Sequence, residues 1–227
     1  MRRLKVSGQV TGGTTYIELD DVKVPVSNIV GREGDGMRII MTNFNHERLV
    51  IAIGATRQAR VALSAAFSYC LKREAFGKTL MDQPVVRHRL AKAGAELETM
   101  WAWVEQILYQ LTHLSKEEGD RQLGGLTALA KAKSGMVLNE CAQTAVLLFG
   151  GSGFTKTGQG ELVEGMLSYL FGCASQLLTR FLPAILRDVP GIRIPGGSED
   201  VLLDLSVRQL VKVYQAEEKK LSQSSKI

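Results

Sequence analysis

Glu47 is the first residue in this chain that its surroundings equip for chemistry. The stretch Met37–Tyr69 contains no proline and repeats apolar residues at helical spacing, so it reads as one long helix. Ile40, Phe44, Glu47, Ile51 and Gly54 fall three or four residues apart and therefore share a face. Burial disfavours the charged form of a carboxylate, which turns a weak acid into a base that works near neutral pH. The other readings of the same pattern are a buried pairing with Arg or Lys, or a carboxylate turned to solvent.

Three further segments have compositions that suit a ligand. Arg73-Glu74-Ala75-Phe76-Gly77-Lys78 follows the long helix and carries two cations beside an aromatic ring. A pyrophosphate could be gripped there by the Arg fork, the Lys charge and a backbone opened by Gly77, although basic residues also suit any helix C-terminus. Gly150-Gly151-Ser152-Gly153-Phe154 is a glycine turn that follows a helix, so it fails the strand-then-helix test of a dinucleotide fingerprint. Pro195-Gly196-Gly197-Ser198-Glu199 is a second glycine turn, set before a helix whose N-terminus attracts anions.

The elements that must position these residues are mostly helical. Gln83–Leu111 carries Val86, Leu90, Ala93, Leu97, Met100, Val104, Leu108 and Leu111 in a bundle stripe. Ser115–Gly125 reads as a polar turn and Leu126–Phe149 as a third helix ended by Gly150-Gly151. A last helix spans Glu199–Ala216, with Ser198 as its N-cap. The first thirty residues differ: Thr14–Leu19 and Val22–Pro25 read as short strands about an Asp-Asp turn. Two strands alone are not stable, which implies that the rest of their sheet lies elsewhere.

Composition narrows the function classes. The 227 residues, 45% hydrophobic and 22% charged, can bury one sizeable core. A net charge of +5 is dispersed rather than striped, so nucleic acid is not expected as a partner. No apolar run reaches membrane-spanning length, and Met1-Arg2-Arg3 is followed by no signal-peptide core. Cys70, Cys141 and Cys173 stand singly, as do the three histidines, which suggests a reducing compartment and no metal site. The terminal Ser225-Lys226-Ile227 is one step from the Ser-Lys-Leu peroxisomal address; mitochondrial or cytoplasmic placement is the alternative.

The order of motifs resembles the acyl-CoA dehydrogenase family. It runs Asn43-Phe44-Asn45-His46-Glu47-Arg48-Leu49-Val50, Arg73-x-x-Phe76-Gly77-Lys78-x-Leu80, Phe149-Gly150-Gly151-Ser152-Gly153-Phe154, Arg187-Asp188, then Gly197-Ser198-Glu199. The resemblance implies a mainly α fold, the up-down helical bundle of that family's C-terminal domain (37–227), preceded by a short remnant of its β domain (1–36). It implies FAD as cofactor, an acyl-CoA substrate losing an α-proton and a β-hydride, and a homotetramer or homodimer. Most members carry the base in the turn before the last helix, where this chain has Gly196. A minority, typified by isovaleryl-CoA dehydrogenase, place it on the first bundle helix in a Glu-Arg-Leu-Val context. Both halves of that exchange are present here, which implies Glu47 as the catalytic base.

For the cofactor, the resemblance implies that Arg73 and Phe76 reach the FAD of a neighbouring subunit, with Gly151, Ser198 and Gln83 also lining it. Two departures stand out. Leu147 replaces a common Gln, and the Gln after the Phe-Gly-Lys turn is displaced to Gln83. Two breaks follow as expectations. The chain lacks most of the β domain, so as an isolated polypeptide it is expected to be inactive. Between Val163-Glu164 and Ile185-Leu186-Arg187-Asp188 the family pattern is interrupted by an almost uncharged stretch (165–184), which reads as an aberrant insertion such as a translated intron. The competing functional readings are a non-catalytic oligomerisation bundle and a DNA-damage-associated flavoprotein relative.

Overall fold

A computed structural model describes residues 1–8, 13–154 and 182–224. Over these the chain is mainly helical, as expected. Helix α1 spans Gly36–Lys72, α2 Pro84–His113, α3 Lys116–Phe149, α4 Leu182–Arg193 and α5 Glu199–Ser224. Strands β1 (Arg2–Arg3) and β2 (Thr15–Tyr16) pair antiparallel, with Arg2 opposite Tyr16 and Arg3 opposite Thr15. Val22–Pro25, expected to be a strand, is unpaired extended chain, and its Val22 and Val24 side chains are exposed. Residues 155–181, which include most of the expected insertion (165–184), and Ser225–Ile227 lie outside the described residues.

Local chemistry sets the helix boundaries. Pro84 opens α2 at a position where its missing N–H and fixed φ cost nothing. Ser115 caps α3 through a capping box: Glu118 N–H donates to Ser115 Oγ at 3.3 Å, and Ser115 N–H donates to Glu118 Oε2 at 3.2 Å. The stretch Ser115–Gly125 is therefore the opening of α3 from Lys116 onward rather than a loop. Its glycines serve close approach: a Cβ on Gly125 would stand 3.0 Å from Ser206 O on α5, and one on Gly124 would stand 3.1 Å from Asn45 on α1. The last helix likewise outruns its expected end at Ala216, because its C-terminal half is polar and no longer needs the apolar stripe that marked it.

The core lies between α1, α2 and α3. On α2 the buried stripe is Val86, Leu90, Ala93, Leu97, Met100, Val104 and Ile107. Leu108 and Leu111 turn outward, because an unbroken run of three- and four-residue steps continues through Ile107 instead. On α1 the buried face is Leu49, Ala52, Ala55, Ala59, Ala62, Leu63, Ala66 and Cys70, a seam of small residues that brings α3 close. The residues of the expected face lie beside this seam: Phe44, Ile51 and Gly54 are half-buried and Ile40 is exposed.

Arg60 joins α1 to α2, donating from both terminal nitrogens to Glu98 at 2.8 and 3.0 Å while lying over the Trp101 ring. The pair is exposed, so its contribution to stability is small. The alanine seam carries the packing. Ala59→Leu should cost about 1–3 kcal/mol by overpacking α1 against α3, as read by urea unfolding; an unchanged midpoint would show that the seam has slack.

Candidate functional site

The sequence-derived residues fall into two groups at different heights along the bundle. At the C-terminal end of α1 the Arg73 N–H donates to Tyr69 O at 2.9 Å, and the chain turns into the hairpin of β3 (Glu74–Ala75) and β4 (Lys78–Thr79). The two residues between the strands, Phe76 and Gly77, both have positive φ, +56° and +73°, the pattern of a type I′ turn. Phe76 is unusual there, since a side chain in that region is strained. Its ring is 98% exposed.

The glycine turn of Gly150–Gly153 shares this end of the bundle. The Tyr69 ring packs on Phe149, the last residue of α3, with centroids 5.0 Å apart. Gly150 ends the helix at φ +60°, and Gly151 is exposed just beyond it. Gln83 occupies the position before α2, one short turn (Leu80–Asp82) after the hairpin, and its side chain makes no capping bond. Arg73, Phe76, Gln83 and Gly151 are thus brought together.

Glu47, Gly196 and Ser198 form the second group. Arg48, beside Glu47, touches the turn that holds Gly196, and it precedes Tyr69 on α1 by about 30 Å at 1.5 Å per residue. Glu47 is exposed, which corrects the expectation of an apolar burial; the buried face of α1 is the alanine seam one residue further on. Its carboxylate is held from its own helix, with Asn43 Nδ2 donating to Oε1 at 2.5 Å. Ser198 precedes α5, is exposed, and its carbonyl accepts from Leu202 N–H at 2.9 Å.

Two charged residues do enter the core, and the first is Arg48, only 4% exposed. Its Nε donates to Gly196 O at 2.8 Å and its Nη1 to Asn45 Oδ1 at 3.3 Å. Desolvation draws its pKa below the usual arginine value, and the nearby Glu47 charge opposes that. Lys131 on α3 is 1% exposed and donates to both Arg193 O and Gly197 O at 2.6 Å. Arg193 and Glu199 close the turn from outside in a two-point ion pair, Nη2 to Oε2 at 2.7 Å and Nε to Oε1. Gly196 and Gly197 have φ of +71° and +113°, so the turn requires glycine at both.

A Cβ on Gly196 would stand 3.4 Å from Ile51 Cδ1 and 3.5 Å from Arg48 Cγ. Ile51 lies one helical turn beyond Glu47, so the Gly196 side-chain position and the Glu47 helix face each other. The sequence reading missed Arg48 and Lys131. Lys131 was detectable: it sits at helical spacing from Ala128, Ser134 and Leu138, a lysine on an otherwise closed face. Among the described residues no helix is long and apolar enough to cross a membrane, and no group of three or more His, Cys, Asp or Glu could hold a metal ion. Cys70 and Cys141 are buried thiols, and burial pushes Cys141 up to about 12.

Bundle, hairpin and glycine turns together define a helical-bundle domain, and comparison with known proteins gives the family. Residues 34–211 match the model of the acyl-CoA dehydrogenase C-terminal domain. The chain is 76% identical over 99% of its length to acyl-CoA dehydrogenase apdG of Emericella nidulans, covering 47% of that protein. It is 34% identical over 67% of its length to glutaryl-CoA dehydrogenase of Desulfococcus multivorans, covering 38% of it. Among solved structures, a glutaryl-CoA dehydrogenase with glutaryl-CoA superposes at TM-score 0.69 and 26% identity, over 92% of this chain and 47% of that one. An acyl-CoA dehydrogenase of Geobacillus kaustophilus superposes at 0.74 and 25%, over 92% and 48%.

The chain belongs to the acyl-CoA dehydrogenase family, whose members are flavin oxidoreductases acting on CH–CH bonds. It spans about half the length of the relatives it matches.

Two predictions follow from the geometry. Phe76→Asn relieves a strained φ and should leave the melting temperature unchanged or raise it, by about 1 kcal/mol of stability at most; a clear loss would mean that the ring packs within the chain. Lys131 is held at about 8, chiefly by desolvation, against an ordinary 10.5. Between those values the folded chain binds fewer protons than the unfolded one, so the stability this residue confers rises with pH through that window. Lys131→Met should therefore cost about 1–3 kcal/mol at pH 7, through carbonyls left without donors, and more at pH 10. Urea unfolding at both values reads the difference.

Proposed function

We propose that this chain is the C-terminal half of an FAD-dependent acyl-CoA dehydrogenase in which Glu47 removes the α-proton of an acyl-CoA thioester. The observation that carries the reading is the facing of Gly196 and the Glu47 helix. The turn where most of the family carries its carboxylate here has no side chain, and its empty Cβ position points at Ile51 and Arg48 beside Glu47. Glu47 is exposed on the half-open face of α1, where a substrate laid between this bundle and a β domain would meet it. Asn43 donates to one carboxylate oxygen and leaves the other to take the proton.

The donor set at the hairpin end fits a flavin dinucleotide. Arg73 is exposed with a fork for pyrophosphate oxygens, the Phe76 ring stands free for stacking, and Gly151 lets a ligand approach the backbone. FAD, when bound, supplies the acceptor for the β-hydride. Since this end lies about 30 Å along the bundle from Arg48, the residues that hold the cofactor and the base that serves it would come from different copies. A homotetramer or homodimer follows from that separation. Ser198, on the Glu47 side, would line the reacting part of the site rather than the dinucleotide end.

The test is a chimera in which the remaining half of the Emericella relative precedes this chain, assayed for acyl-CoA dehydrogenation with an external electron acceptor. Turnover is expected, Glu47→Gln should lower kcat by about 10²–10⁴-fold, and the isolated chain should show none. Undiminished turnover in Glu47→Gln would refute the assignment. Dehydrogenation by the isolated chain would refute the requirement for a β domain.

We further propose a peroxisomal location, on the terminal Ser225-Lys226-Ile227. A fluorescent protein fused ahead of the chain should give punctate fluorescence that disperses when those three residues are deleted; diffuse fluorescence from the intact fusion would remove the assignment.

A further inference from the structure

We propose that Lys131 is a positioning residue for the 194–198 turn: it holds the turn by two carbonyls, so that Gly196 is pressed against the helix that carries Glu47. The role given to Glu47 rests on the acyl-CoA dehydrogenase reading; the hold on the turn does not.

The geometry separates this role from ordinary packing. Lys131 projects from the middle of α3 across the bundle and ends with its ammonium 2.6 Å from Arg193 O, the last residue of α4, and 2.6 Å from Gly197 O, just before α5. A single ammonium thus bridges the two sides of the turn. No carboxylate forms an ion pair with it among the described contacts. The charged groups that act on it are Glu199 on α5, which favours its charge, and Arg48 on α1 and Arg193 on α4, which oppose it. A methionine would fill the same slender volume without the desolvation cost of an ammonium. What a methionine lacks is donors for the two carbonyls that the buried ammonium serves, and each such carbonyl left alone is costly.

The turn cannot supply those donors itself. Its own closing contacts are few: Ile194 N–H donates to Pro190 O at 3.1 Å and Gly197 N–H to Ile194 O at a long 3.3 Å. Two consecutive residues with positive φ and no side chains give it no packing of its own to resist movement. Arg48 fixes one more carbonyl, that of Gly196, from the α1 side. With Arg48 pulling from α1 and Lys131 from α3, the turn is fixed at three carbonyls. Without Lys131 only the Arg48 contact remains, together with the Arg193–Glu199 pair that spans the outside of the turn.

Amide hydrogen exchange on this chain tests the hold. In Lys131→Met, exchange at Ile194 and Gly197 should speed by about tenfold beyond whatever acceleration the core amides of α2 show through global unfolding. Lys131→Gln, which keeps two N–H donors on a shorter stem, should fall between wild type and Met and covers the case in which the Met variant does not fold. Acceleration confined to a uniform rise across the chain, or none at Ile194 and Gly197 in the Gln variant, overturns the proposal.

In the chimera, the Gln variant should lower kcat by about tenfold or more while the flavin content stays that of wild type. Unchanged kcat alongside faster exchange would confine Lys131 to fold stability and overturn the positioning role. If Glu47→Gln proves harmless while the exchange result holds, the reading of Glu47 fails and the clamp stands. If Glu47→Gln abolishes turnover while exchange stays flat, only Lys131 falls.

Discussion

Three carbonyls at the turn between α4 and α5, those of Arg193, Gly196 and Gly197, accept from two cations buried in the bundle. Backbone acceptors so placed must find donors within the protein. Arg48 from α1 and Lys131 from α3 supply them, and so four of the five described helices meet at one polar knot. Two buried cations without buried carboxylates are expensive, and Glu47 and Glu199 offset part of that from the rim. The turn that leads into α5, and with it the wall opposite Glu47, is set by this arrangement, while α5 itself packs on α3 through Leu202 and Leu205 against Ala128 and Ala132.

Much of the fold was legible in the sequence, and the places where it was not share one cause. The stripe on α2 is made of large residues at bundle spacing, and it was read correctly apart from its last turn. The face of α1 was misread because its core side is alanine: Ala52, Ala55, Ala59, Ala62 and Ala66 bury completely or nearly so yet contribute little to a hydropathy pattern. Phe44 and Ile51 dominate the pattern and lie at its margin. The start of α3 was misread for the same reason, since glycines that permit helices to touch look like the glycines of a loop. Close-packed small residues are nearly invisible to periodicity, whereas bulky ones mark a face even when it is only half covered.

The site residues were legible by type but not by place. The resemblance assigned Arg73, Phe76, Gly151 and Ser198 to the cofactor, the first two to that of a neighbouring subunit, and Glu47 to the base. The hairpin and the Gly150–Gly153 turn gather at the end of α1 and α3, held together by the Tyr69–Phe149 contact, while Ser198 and Glu47 lie with the knot. A helix as long as α1 places its two ends too far apart for one bound molecule to touch both. An arrangement of this kind makes sense where a second copy brings its hairpin to the first copy's knot. The exposed ring of Phe76, at a φ that strains a side chain, stands at that same hairpin end.

The exchange of a carboxylate between two segments distant in sequence also becomes intelligible. A residue at position 196 would extend toward Ile51 and Arg48, the same part of α1 from which Glu47 projects. Carboxylates on both would compete for one region, and two like charges at close range cannot both stay ionised at ordinary pH. One base suffices, and the other position is best left empty. Gly196 leaves it empty while adopting a φ of +71° that a side chain would strain. With Glu47 proposed as the base on α1, the turn is free to use that conformation, and its carbonyl accepts from Arg48. On this view the glycine is a structural consequence of where the carboxylate went, and the buried arginine beside Glu47 is what couples the two.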